Sequence, residues 1–262
     1  MLKLYNSPVS VCSVKVRFGL AEIGLEYEQV LINLSKGEQY TPEYLALNPD
    51  GVVPTLVDGD LVIAESSLIL EYLDRYYNHE KLVPKGKAAA TTTRHWLVRT
   101  LAIHAAINTL TFSTAGRDQT LASKTQSEIE AALAKMPDPV ARLKRLDLLE
   151  NGLSSPYVSQ ALGQLRRVFA DMDRALTLHH WVSGEEIGMT DIALLSYVDR
   201  LQRLGFEGLW ADQTPRISDW LARMQSRPSY AEAVTSQIDA QSALKTRQSG
   251  ETYWPALKEL WD

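Results

Sequence analysis

Residues 48–72, NPDGVVPTLVDGDLVIAESSLILEY, constrain this chain more than any other stretch. Val53-Pro54 stands between apolar residues, where a loop enters a strand. A proline there holds the residue before it extended and removes one backbone donor. It is also the one kind of peptide bond at which the cis form costs little. Thr55-Leu56-Val57 reads as a strand, Asp58-Gly59-Asp60 as a hairpin turn, and Leu61-Val62-Ile63-Ala64 as the returning strand. That run stops at Glu65-Ser66-Ser67, where a helix opens with apolar positions Ile69, Tyr72, Leu73 and Tyr76. A strand therefore delivers one acid and two hydroxyls to a helix N-terminus. Free N–H groups and the helix dipole make such an end a place for an anion. Each piece alone is an ordinary turn or cap; it is their combination that points to a ligand.

The flanking sequence extends this unit. Residues 2–5 form an apolar strand, Asn6-Ser7-Pro8 a turn, and VSVCS (9–13) the entry to a helix with Val14, Phe18 and Ala21 on its apolar side. Gly24 stops that helix, and residues 27–32 alternate as a second strand. Residues 33–44 are polar and partly helical in character. The order β-α-β-α-β-β-α makes the first two strands parallel and the last two a hairpin. Residues 1–78 thus read as one small α/β domain, 79–90 as a linker containing Pro84 and Gly86, and 91–262 as an all-helical domain. The helical periods run over 91–112, 123–135, 159–178, 184–204 and 215–225. The tail is polar until Tyr253-Trp254, aromatics that suggest it folds back on the body and closes the site from above.

Several classes fall away. The net charge is −5, against a nucleic-acid surface. A single cysteine, Cys12, leaves no internal disulfide and no cysteine metal cluster. The five histidines show no metal spacing with a third ligand. No apolar run approaches the roughly 20 residues of a membrane span, and residues 1–5 read as a strand rather than a leader. A reducing, cytoplasmic setting is expected.

Taken together, Tyr5-Asn6-Ser7-Pro8, Asn48-Pro49, Val53-Pro54-Thr55-Leu56, residues 65–73 (ESSLILEYL), Gly184 followed by Thr190-Asp191-Ile192-Ala193, and Arg227-Pro228 resemble the cytosolic glutathione transferases. The likeness covers about residues 2 to 230. Within that family the opening YNSPVSVCSVKVR is most similar to bacterial glutathione-dependent β-etherases and to the zeta class. One departure shows: Gly188 stands where the family usually has Ser or Thr, three residues before Asp191.

The resemblance implies a thioredoxin-like first domain, glutathione as co-substrate and a homodimer. It implies attack of the glutathione thiolate on a hydrophobic, aromatic electrophile, with β-aryl ether cleavage preferred and generic conjugation next. Maleylacetoacetate-type isomerisation and a non-enzymatic glutathione-binding module are the alternatives. The γ-glutamyl carboxylate would meet Ser66 and Ser67, its ammonium Glu65, the cysteinyl backbone Val53 beside Pro54, and the glycyl end Gln39. A hydroxyl or thiol at the start of the first helix would stabilise the thiolate, which is the nucleophile. Ser10 matches the zeta and tau pattern, Ser13 the β-etherase pattern, and Cys12 the bacterial beta class; the three remain open. Trp96, Arg99, Thr109 and Phe112 are candidates for lining the electrophile's pocket.

Overall fold

The structure is a computed structural model that describes all 262 residues. Its one sheet has the order β2-β1-β3-β4, from β1 (Leu2–Asn6), β2 (Tyr27–Leu31), β3 (Thr55–Asp58) and β4 (Leu61–Ile63). β1 and β2 are parallel, and β3 is antiparallel to both β1 and β4. The parallel β1–β2 pair and the β3–β4 hairpin are those the order of elements predicts; the antiparallel β1–β3 pairing at the centre is what the structure adds. Helix α1 (Val11–Ile23) makes the crossover and ends at Gly24, whose φ of 74° lets its N–H reach back to Leu20 and Ala21. Two single 3₁₀ turns, Leu34–Lys36 and Glu38–Tyr40, and the short α2 (Pro42–Leu47) bridge to β3. Helix α3 (Ser66–Tyr77) then packs beside α1.

The core between sheet and helices is small: Leu2, Leu4, Val16, Leu20, Leu56, Ile63, Ile69 and Leu73. Each such side chain contributes about 1.5–3 kcal/mol on burial, modest support for a sheet this size. The other face of α1 supplies more. Val11, Val14 and Phe18 belong to the large core of the helical part, with Trp96, Ile107, Phe169 and Leu195.

The helical part comprises α4 (Lys87–Ser113), α5 (Ala115–Ser123), α6 (Gln126–Ala134), α7 (Pro139–Asn151), α8 (Pro156–Leu178), α9 (Met189–Arg203), α10 (Arg216–Gln225), the single turn α11 (Pro228–Tyr230) and α12 (Ala240–Trp261). Helix α4 starts earlier than its apolar period predicts, at Lys87, because the alanines after Gly86 are good helix formers. None of these helices is long and apolar enough to cross a membrane.

Two glycines matter to the packing. A Cβ at Gly188 would lie 2.6 Å from Ser183 Oγ and 2.9 Å from Leu82 O. The residue expected there, Ser or Thr, has no room, which accounts for the departure. A Cβ at Gly250 would lie 2.1 Å from Leu204 O, so α12 presses on the end of α9 at backbone distance. The tail does fold back, but as a helix on the body. Tyr253 donates to Asp118, and Trp254 packs against Phe206 at 6.4 Å between ring centres. Those aromatics serve this seam.

Candidate functional site

Three chain segments meet at one end of the small domain. The first is the loop from β1 into α1. Arg17, buried on α1, donates to Asn6 Oδ1 (2.9 Å), Ser7 O (3.1 Å), Pro8 O (3.0 Å) and Ala233 O (2.9 Å). Three of these bonds hold that loop in shape, and the fourth ties it to the segment at Ala233. Ser10 then caps α1, its Oγ accepting from the Ser13 N–H at 3.3 Å. No protein acceptor claims the Ser10 hydroxyl proton, and the side chain is half-buried. Ser13 differs. It is 0% exposed, and its Oγ accepts from the Ser7 N–H at 3.2 Å, inside the turn.

The second segment is the edge that leads into β3. Thr55 stands opposite Tyr5 in the sheet, which sets Val53-Pro54 beside Asn6, where the loop begins. The Val53–Pro54 bond is cis. Gly51 lies on the Tyr40 ring, so Gln39 and Tyr40 border the same edge. Gln39 is 8% exposed and its Oε1 has no partner within the protein. Lys36 is exposed and makes no side-chain bond.

The third segment is the start of α3. Glu65 has φ 68° and ψ 107°, an uncommon place for a residue with a side chain. Strained backbone of this kind costs about 1–3 kcal/mol and clusters at ligand sites. Ser66 follows, mostly buried. The Ser67 hydroxyl is engaged within the protein. It accepts from Lys15 Nζ at 3.0 Å and lies 2.8 Å from Thr100 Oγ1, whose own proton goes to Leu97 O. Ser67 therefore offers a ligand its N–H rather than its hydroxyl.

Beneath these segments lies a charged cluster that local sequence does not announce. Cys12 Sγ sits 3.4 Å from His104 Nδ1 on α4. Burial alone would push the Cys12 thiol up. The His104 charge and hydrogen bond, with Lys15 and Ser66, outweigh it and bring the thiol down to about 6. The same pairing raises the His104 imidazole against its own burial. Lys15 is 1% exposed, with its Nζ 5.0 Å from the centre of the Tyr197 ring. Burial lowers its ammonium to about 8, opposed by the charges of Cys12 and Glu65.

Because Cys12 is the single cysteine, the pair has a direct test. Alkylation by iodoacetamide is expected to follow a midpoint near pH 6, with most of the thiolate present at pH 7 and lost as pH falls. His104→Gln should move that midpoint upward, since burial then acts unopposed. Labelling followed by mass spectrometry across pH measures it; a midpoint that stays put in the variant would dissolve the pair.

His104, Lys15, Arg17 and Thr100 are the site residues that sequence reading misses. Residues 12 and 104 are 92 positions apart, and a histidine on a helical period reads as core. Of the four candidates for the electrophile's pocket, Trp96 and Thr109 are buried in the core and Arg99 is paired with Asp171 at 2.9 Å. Phe112 alone stays half-buried without an ion-pair partner. No group of three His, Cys, Asp or Glu side chains is arranged to hold a metal ion.

A small sheet whose cis-proline edge meets two helix N-termini, one carrying hydroxyl and thiol groups, is a thioredoxin-like domain, here joined to a helical domain. Residues 1–75 match the family model "Glutathione S-transferase, N-terminal domain" and residues 111–228 match "Glutathione S-transferase, C-terminal domain". The "Glutathione S-transferase 1" of Dianthus caryophyllus is 30% identical over 196 residues, 74% of each chain. A "Glutathione S-transferase zeta class" of Euphorbia esula is 52% identical over 83 residues, 32% of this chain and 37% of that one. The crystal structure of the β-etherase LigF from Sphingobium sp. strain SYK-6 superposes with a TM-score of 0.77 at 26% identity, over 88% of this chain and 98% of that one. The chain belongs to the glutathione S-transferase family, and glutathione is its co-substrate.

Proposed function

We propose that the protein activates the glutathione thiol for attack on a hydrophobic, aromatic electrophile, with β-aryl ether cleavage as its preferred reaction. The sulfur forms a bond to carbon, the carbon–oxygen bond breaks, and the aryl oxide leaves and takes up a proton. The observation that carries this reading is Ser10. Its oxygen is used by the cap, its proton is unclaimed, and it stands at the positive end of α1. That proton is the donor for the thiolate. An unperturbed thiol, with pKa about 8.5, is only a few per cent ionised at pH 7. Burial of Ser13 inside the turn favours Ser10 over it, and Cys12 with His104 adds a second low-pKa sulfur beside the site.

In this reading Val53 pairs its backbone with the cysteinyl residue beside Pro54, as an added strand. Ser66 and the N–H groups of Ser66 and Ser67 take the γ-glutamyl carboxylate, and Glu65 its ammonium. The unpartnered Gln39 Oε1 accepts from a peptide N–H toward the glycyl end. An open groove between α3 and α4, with exposed Leu68, Val98 and Leu101 and a Glu71–Arg94 pair at 3.5 Å, suits a second copy of the chain. A free low-pKa thiol suits the reducing cytoplasm.

The zeta-class similarity favours a second reading, maleylacetoacetate-type isomerisation, and a non-enzymatic binding module is a third. Turnover of 1-chloro-2,4-dinitrobenzene, a β-aryl ether and maleylacetoacetate by the purified protein separates them. Retention on immobilised glutathione with turnover of the ether is the expected result. Retention without turnover of any electrophile would leave only the binding module.

A further inference from the structure

Helix α4 presents one half-open face past the thiol site. His104, Asn108 and Phe112 follow one another at four-residue intervals, and all three are half-buried, not core. His104 marks the Cys12 end. Phe112 lies two turns on, about 12 Å along the axis at 1.5 Å per residue. Helix α7 crosses this face and sets two cations on it. The Arg145 guanidinium stacks 3.3 Å from the centre of the Phe112 ring. Lys144 Nζ reaches Ala105 O at 3.5 Å and stands 5.1 Å from the centre of the Tyr157 ring.

Neither cation has a carboxylate partner. Arg145 makes no ion pair and no hydrogen bond, and Lys144 has only that long bond to a carbonyl. Arg99, Arg203, Arg216, Arg227 and Arg247 are each paired with an acid, and Arg17, Arg117, Arg200 and Arg223, which are not, donate to backbone carbonyls; Arg145 does neither. Burial lowers both Arg145, to about 10, and Lys144, whose neighbour adds to the effect. Tyr40, next to Gln39, lies near enough to Arg145 to oppose this lowering in part. Lys124 ties the helical part to the small domain by donating to Ser35 O at 3.2 Å. A stacked guanidinium keeps its edge of N–H groups free, in the geometry that holds a carboxylate with two bonds.

We propose that Arg145, seconded by Lys144, is a carboxylate-binding group in the cleft that begins at the thiol site. Its ligand is either an acidic group on the aromatic electrophile or the glycyl carboxylate of glutathione. The first source rests on the reading of this cleft as the electrophile's place; the second does not.

Equilibrium binding tests it without turnover. The probes are S-benzylglutathione, S-(4-carboxybenzyl)glutathione and the glycyl monoethyl ester of glutathione, titrated by calorimetry against the wild type, Arg145→Gln and Arg145→Lys. A charged hydrogen-bonded pair leads one to expect a loss of ten-fold or more. Loss confined to the carboxybenzyl peptide in Arg145→Gln assigns the electrophile's acid. Equal loss for both S-substituted peptides, with the ester unaffected, assigns the glycyl carboxylate. Arg145→Lys should lose less in either case, keeping the charge without the fork. Unchanged binding of all three probes, or equal weakening of all three including the ester, would overturn the proposal. Absence of turnover in the wild type bears on the enzymatic reading alone, because these titrations involve no reaction.

Discussion

Ser10→Ala is expected to lower kcat/KM for an aryl electrophile about a hundred-fold, the scale of losing one donor aimed at developing or resident negative charge. Glutathione should still bind, through the α3 end and the Val53 edge, so the loss falls on kcat. The thiol of bound glutathione should move back toward its solution value of about 8.5, read from its ultraviolet thiolate absorbance across pH. Ser10 also caps α1, and alanine there costs about 1 kcal/mol of stability. Ser10→Asp separates the two roles. Aspartate caps as well as serine, so the protein should melt like the wild type. Its negative charge beside the sulfur should nonetheless leave it less active than the alanine variant. Ser13→Ala should behave in the opposite way, losing some stability through the Ser7 turn and little ionisation of the bound thiol. If Ser10→Ala retains full kcat/KM, the thiol is activated elsewhere, and Cys12 becomes the group to test.

The largest loss of stability is expected at Asp191. Its carboxylate is 0% exposed and accepts from the N–H groups of Val182 (2.8 Å), Ser183 (3.1 Å) and Gly188 (3.2 Å), and from Trp220 Nε1 (2.8 Å). Burial pushes the carboxyl up, while these donors pull it back toward ionisation. Each orphaned buried donor costs about 1–3 kcal/mol, and several share one relaxed cavity. Asp191→Ala should therefore lose about 4 kcal/mol overall, near 10 °C in Tm for a chain of this length. Trp220→Phe removes a single donor and should lose about a quarter of that. Chemical denaturation of the two variants decides: if Asp191→Ala costs no more than Trp220→Phe, the three backbone donors are held by something other than the carboxylate.

The parts legible in the sequence are those whose physics is local. Strands, hairpin and helix starts follow from alternation, a turn dipeptide and the punctuation of Pro54, Gly24 and Ser66. The family resemblance rests on the same short runs. What escapes is whatever depends on two distant residues meeting. Lys15 looks like a surface lysine until Ser67, Thr100 and Tyr197 close around it. His104 looks like core until Cys12 reaches it. Gly188 looks like a weakened cap, because nothing in its neighbourhood announces Leu82 O. Trp96, Arg99 and Thr109 share a helix with Phe112, but period alone does not say which side of α4 faces the cleft and which faces α8 and α9.

Helix α1 has one face in the sheet's core and the other in the bundle's. It is the shared wall of two rooms. A cut made at the polar stretch before Lys87 would leave the helical piece missing that wall, with the surface that receives Val14 and Phe18 open to water. Drift in one room must suit the other too, because a shift of the helix that accommodates a change at Val16 or Leu20 also displaces Val14 and Phe18 on its other face. Ser10 and Cys12 ride on the end of that wall, so the two candidate groups are mounted on a helix packed on both faces.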